Sequence, residues 1–238
     1  GEPQHVEDGE LRRFDRILTN PPFSINWGSK DKDRSGEYTW QPKFRERFFH
    51  EVPLGSKKAD LMFLQHMLAV SRDGGMIATV MPHGVLFRGG DEGKIRQKII
   101  ESDQVEAVIG LGPQLFYGTG IPACVIVLRQ RVHHGANLVS GKPAERQGKV
   151  LFINADREYF EGRAQNHLLP EHIEKIVTTF EEYRAIPGFS AIVDIDTLRE
   201  NDFNLNIRRY ADNAPPPEPH DVRAHLVGGI PKAEVEAK

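Results

Sequence analysis

Asn20, Pro21, Pro22 and Phe23 put an amide, two rings without N–H donors and a flat aromatic face into four consecutive positions. One chemistry suits that set: attack by an amine whose lone pair is delocalised, such as the exocyclic nitrogen of adenine. Two acceptors placed on its two N–H bonds localise the lone pair and stabilise the cation that develops on attack. The Asn20 side-chain oxygen is one acceptor and the Pro21 carbonyl is the other, and neither needs to take a proton in the transition state. Phe23 offers a face on which a base can stack, a contact worth about 1–3 kcal/mol per base in comparable sites.

These residues need a strand end to hold them. Phe14, Ile17 and Leu18 form a short apolar run that reads as a buried strand. Pro21 and Pro22 stop it, because neither can donate to a ladder. Asn20 then falls on the rim where open α/β sheets place their ligands. The bland alternative is a stiff turn with Phe23 packed as ordinary core, since short motifs recur by chance.

Asn20-Pro21-Pro22-Phe23 after a strand resembles the catalytic motif of amino-methyltransferases that use S-adenosylmethionine. The flanking segments resemble the modification subunit of type I restriction–modification systems, in the N-6 adenine-specific DNA methylase family. They are Lys58-Ala59-Asp60-Leu61-Met62-Phe63-Leu64-Gln65-His66-Met67-Leu68, Gly74 to Pro82, Phe116-Tyr117-Gly118-Thr119-Gly120-Ile121-Pro122-Ala123, and Asn204-Leu205-Asn206-Ile207-Arg208-Arg209-Tyr210. The resemblance runs from about Phe14 to Tyr210. It implies methylation of the adenine amine in DNA, with Asn20, Pro21, Pro22 and Phe23 catalytic. Phe116 closes the other side of a pocket for the extruded base, Phe23 and Phe116 being the stacking pair. Core packing is the alternative for Phe116. The partners implied are DNA and the specificity and restriction subunits of a type I system.

The 238 residues, 39% hydrophobic and 27% charged, describe a soluble globular protein. A net charge of −3 gives no global signal for nucleic acid, so DNA contact must come from a local patch or a partner. The single Cys124 cannot form an internal disulfide, which fits a reducing, cytoplasmic compartment. No apolar stretch approaches the length of a membrane span. His133-His134 have no Cys or carboxylate at metal-ligand spacing, so no metal is expected. Gly1 is not an initiator Met and residues 1–10 read as a loop leading into a strand, so the chain is expected to begin inside a longer protein.

The element order is strand, loop, helix, strand, helix, strand, strand: the second half of a doubly wound, Rossmann-like α/β sheet. Residues 24–58 form a polar stretch with aromatics, and from Gly28 to Lys58 it has eight Lys/Arg against five Asp/Glu. That mixture reads as a loop covering the sheet in preference to a nucleic-acid surface. Asp60 to Val70 is a buried helix ended by Asp73-Gly74-Gly75, and Met76 to Met81 a buried parallel strand. Glu92 to Ser102 is a helix, and Val105 to Leu111 and Ala123 to Leu128 are strands. Residues 1–130 form a partial catalytic domain, 131–149 a polar linker, 150–210 a C-terminal α/β extension and 211–238 a tail that binds a partner. In the extension, Pro170 to Arg184 is an amphipathic helix whose stripe of Ile173, Ile176, Val177, Phe180 and Tyr183 packs as core. His66 reads as a core histidine and His83 as a loop residue just past a strand end.

A methyltransferase also needs a glycine turn that lets the backbone approach the cofactor. Gly110-Leu111-Gly112 lacks a third glycine at the needed place, and Gly118-Thr119-Gly120 precedes a strand. The cofactor-binding residues are therefore unassigned and expected upstream, and this chain alone is expected to be inactive. Two rivals stay open. One is methylation of a protein glutamine by the same two acceptors, a reading that a Tyr in place of Phe23 would favour. The other is a non-catalytic module that docks a specificity subunit.

Overall fold

The computed structural model describes residues 5–40, 45–50, 57–116 and 120–214. Its centre is a six-stranded sheet: β1 (Phe14–Thr19), β2 (Ser71–Pro82), β3 (Val105–Leu111), β4 (Ala123–Arg129), β5 (Lys149–Ala155) and β6 (Ser190–Asp194). Across the sheet the order is β6-β5-β3-β4-β2-β1. The β1–β2 and β3–β5 pairs are parallel, whereas β4 is antiparallel to both β2 and β3, and β6 is antiparallel to β5. Thr19, Pro82, Leu111 and Ala155 therefore end on one rim. The helices are α1 (Asp60–Ala69), α2 (Asp91–Glu101), α3 (Pro170–Glu182) and α4 (Ile195–Glu200). The expected α/β class and element order are present.

Side chains two apart on a strand share a face, and the core divides accordingly. Val108 and Phe152 join α1 and α2 in one cluster, while Ala107, Ile109, Leu151 and Ile153 join Ile176 of α3 and Tyr183 at its C-terminal end in a second. With both faces covered, β3 is buried at every position, and all but Glu106 of it is apolar or glycine.

Several expectations need correction. β1 is an edge strand, not a buried one: only β2 pairs with it, and Leu18 is 83% exposed. The apolar run specifies a strand and leaves the number of its neighbours open. α1 stops at Ala69, before Asp73-Gly74-Gly75. The two glycines sit inside β2, where the β1–β2 register slips between Phe14 and Arg16, and Gly74 takes φ +69°. β2 pairs in parallel with β1 and antiparallel with β4.

Residues 131–149 are not a plain linker. Val132–His134 and Asn137–Val139 form a hairpin. Lys142 is buried, with Nζ donating to Asp103 Oδ1 at 2.6 Å and to the Lys149 carbonyl at 2.7 Å. β5 then joins β3 in the same sheet, so residues 149–155 continue the sheet. The α3 stripe is split. Ile176 and Tyr183 are buried and Phe180 is half-buried, whereas Ile173 and Val177 are exposed. α3 is also pinned through Glu106, which is fully buried and paired with Arg129 and Arg146 at 2.9 Å each. Arg146 in turn lies over the Tyr183 ring, 4.7 Å from its centroid. Residues 215–238, most of the expected tail, lie outside the described residues.

Candidate active site

Asn20 follows the last residue of β1 on the shared rim and is exposed, not turned into the core. Its side chain makes no hydrogen bond among the described residues. The strand end below it is fixed: the Thr19 hydroxyl lies 2.8 Å from Thr79 Oγ1 on β2 and 3.0 Å from Met67 Sδ on α1. Pro21 is half-buried and Pro22 exposed. The turn closes at Ser24, which adopts φ +52°, a region costly for a residue with a Cβ. Two contacts hold it there. The Ser24 N–H donates to Asp60 Oδ1 at 2.7 Å, and Lys58 Nζ donates to the Ser24 carbonyl at 2.9 Å.

Asp60 is 1% exposed and opens α1, where a carboxylate also complements the helix dipole. Its second oxygen accepts from Arg88 at 2.9 Å. Arg88 Nε lies 3.2 Å from Glu92 Oε2. Burial pushes the Glu92 carboxyl up, against the pull of Arg88. A buried carboxylate with both oxygens engaged is a firm anchor for the loop that carries Phe23. The sequence reading missed this role. A charged residue opening a helix that is otherwise apolar nearly all round was its available signal.

Phe23 packs into neither core cluster. Its ring meets that of Phe116 at 6.0 Å between centroids and 62° between planes. Phe116 comes from the loop after β3 and is half-buried against the second cluster. The structure thus brings together the two aromatics singled out in the sequence. Of the other residues in that stretch, 117–119 lie outside the described residues.

The remaining candidates sit elsewhere. His83 lies just past β2, with Nε2 3.1 Å from the Ala123 carbonyl, and burial lowers its pKa. It lines a cavity of about 540 Å³ with Asn154, Asn206 and Arg208, among others, and none of Asn20, Pro21, Phe23 or Phe116 lines it. Burial, with the charges of Arg47 and His5, lowers the His66 pKa to about 4. Trp27 packs edge-on against Trp40 and Phe48, and Trp27 and Phe48 lean on the first core cluster; Phe44 and Lys43 lie outside the described residues. Gly110, inside β3, and Gly112, just after it, do not fit a cofactor cradle. A Cβ at Gly110 would meet Ile207 Cδ1 at 2.8 Å, and one at Gly112 would clash with the Tyr159 ring. Their missing side chains make room for protein. Among the described residues no group of His, Cys, Asp and Glu could hold a metal, and no helix is long and apolar enough to cross a membrane.

Comparison with known proteins gives a consistent picture. A family model described as "N-6 DNA Methylase" matches residues 2–218. The type I restriction enzyme MjaVII methylase subunit of Methanocaldococcus jannaschii is 36% identical over 219 residues, covering 89% of this chain and 35% of that protein. The MpnII methylase subunit of Mycoplasma pneumoniae is 28% identical over 222 residues, covering 93% of this chain and 38% of that protein. Among solved structures, the type I restriction–modification methyltransferase subunit from Streptococcus thermophilus superposes with a TM-score of 0.71 at 35% identity, over 90% of this chain and 40% of that one. The chain spans little more than a third of the length of these relatives.

Proposed function

This chain belongs to the N-6 DNA methylase family, and on that premise we propose that it carries the target-base half of an adenine-specific DNA methylation site. The observation that supports this most is the convergence of Phe23 and Phe116 beside an exposed Asn20 on the strand-end rim. In this reading Asn20 Oδ1 and the Pro21 carbonyl accept from the two N–H bonds of the adenine amine. That draws the nitrogen lone pair out of the ring and stabilises the positive charge that builds up on it. Pro22 stiffens the turn. Phe23 and Phe116 take the extruded base between them, recovering part of the cost of unstacking it.

The two rings now pack edge-to-face, so they are not yet a slot. A base stacked between them needs two roughly parallel faces. Base entry therefore turns one ring and exchanges an aromatic contact for a base contact of similar chemistry.

S-adenosylmethionine is the proposed methyl donor, supplying an electrophilic methyl group. The described residues offer it no glycine cradle, and its contacts are assigned chiefly to residues outside this chain. The proposed partners are DNA and the specificity and restriction subunits of a type I system. The exposed Ile173 and Val177 of α3 and Ile192 of β6 are consistent with a docked partner. The test is product analysis: the full-length subunit with its specificity subunit, DNA and S-adenosylmethionine should yield N6-methyladenine by mass spectrometry. Methylation of a protein glutamine alone, with DNA unmodified, would favour the rival chemistry.

A further inference from the structure

The wall opposite Phe23 depends on a loop that belongs to no helix or strand. Residues 112–115 lead from β3 to Phe116, and Gln114 sits at φ +54°. Such a loop holds its shape only if its backbone groups find partners. Three successive carbonyls do, and all three partners come from two adjacent residues far along the chain. Asn166 Nδ2 donates to the Pro113 carbonyl at 2.9 Å, the Asn166 backbone N–H to the Gln114 carbonyl at 3.0 Å, and Gln165 Nε2 to the Leu115 carbonyl at 2.8 Å. Asn166 is 5% exposed, and its Oδ1 accepts from the Gly162 N–H at 3.4 Å, which orients the amide with its donor towards Pro113. The segment carrying the pair is itself closed by two backbone bonds between Phe160 and His167, at 2.8 and 3.0 Å. At the other end of the loop the Tyr159 ring fills the space beside Gly112.

We propose that Gln165 and Asn166 are positioning residues of the target-base site, setting the backbone of residues 113–115 so that the Phe116 ring stays opposite Phe23. This rests on the reading of Phe23 and Phe116 as the stacking pair. Neither Gln165 nor Asn166 touches the base. They act through the loop, and they tie the segment after β5 to the chemistry of the rim instead of to assembly alone.

The test uses the full-length subunit assembled with its partners, an adenine-containing duplex for the kinetics and, for fluorescence alone, a duplex with 2-aminopurine in place of the target adenine. Gln165→Met and Asn166→Ser each remove one amide donor. Each should raise KM for DNA about tenfold, the order expected from a lost loop hydrogen bond, with kcat changed less. Each should also move the bound-state 2-aminopurine fluorescence towards that of Phe116→Ala. The double variant Phe116→Ala/Asn166→Ser should be no worse than Phe116→Ala, because the two act as one unit. Gln165 is only half-buried, so Gln165→Met keeps the test open if Asn166→Ser fails to fold. If Phe116→Ala shifts both readouts while Gln165→Met and Asn166→Ser match the parent, the positioning role is overturned and the stacking pair stands. Additive losses in the double variant overturn it as well. If Phe116→Ala itself changes nothing, the stacking reading fails and takes this inference with it.

Discussion

Phe23 and Phe116 touch edge-to-face at 6.0 Å although their strands, β1 and β3, are not neighbours. β2 and β4 lie between them, so the strand axes are three spacings apart, about 14 Å at roughly 4.8 Å each. Only loops that lean towards each other over the rim can close that distance. Each loop is held from outside itself: the first by Asp60 through Ser24, the second by Gln165 and Asn166.

The Asp60 anchor gives a graded expectation. Asp60→Ala leaves the Ser24 N–H without its acceptor and Arg88 with Glu92 as its remaining charge partner. Freed from φ +52°, Ser24 should let Phe23 drift. A misplacement of about 1 Å in a catalytic loop costs up to about 100-fold in rate, so methyl transfer should fall by about 10- to 100-fold. Asp60→Asn keeps an acceptor for Ser24 and should retain more activity. Steady-state kinetics of the two variants in the full-length subunit would check the order; equal losses would show that charge, not loop geometry, matters.

Glu106 should matter to stability and not to the site. It is fully buried between Arg129 and Arg146. Removing one member of a buried ionic cluster leaves uncompensated charge and typically costs about 3–5 kcal/mol. Glu106→Ala should lower stability to denaturant by that order and loosen α3, through Arg146 and Tyr183. Limited proteolysis around residues 170–183 would report the loosening.

The contrast between these two carboxylates shows what was legible in the sequence. β3 and β4 are apolar apart from Glu106 and Arg129, as a strand covered on both faces must largely be, so their existence could be read directly. Asn20 to Phe23 are contiguous, and the chemistry of the set is visible in the residue types. The edge position of β1 was not visible, because Phe14, Ile17 and Leu18 look the same with one neighbour or two. Lys142 and Glu106 read as surface charges until the fold brings Asp103, Arg129 and Arg146 to them. Gln165 and Asn166 bond to backbone carbonyls of a distant loop, and Asp60 to the Ser24 N–H as well as to Arg88; backbone groups leave no mark in a sequence.

His66 supplies a pH dependence. Its pKa is about 4 in the folded chain against an ordinary 6.5, chiefly because burial disfavours the charged ring. Between those values the unfolded chain binds more protons than the folded one, so stability falls as pH falls. The contribution is complete above 6.5 and lost by about 4, and the partial exposure of the ring keeps its size below what the full shift would give. Denaturant unfolding at pH 7, 5.5 and 4 should show the decline, and His66→Gln should make it shallower. A decline of the same size in His66→Gln would assign it to other groups.

The space beside Gly110 and Gly112 is filled by Ile207 and Tyr159, so the 238-residue chain by itself should bind S-adenosylmethionine weakly. Calorimetric titration should give no saturation at micromolar cofactor. Micromolar affinity would mean that these residues hold the cofactor in a way the described rim does not suggest.

The most direct measurement is methyl transfer by Asn20→Ala in the full-length subunit with its partners, alongside DNA affinity. Loss of an acceptor that acts only as charge develops costs about 100- to 1,000-fold in kcat in comparable sites, and DNA binding should stay within a few-fold of the parent. Turnover near the parent's, with DNA binding unchanged, would contradict the assignment of the rim as the target-base site.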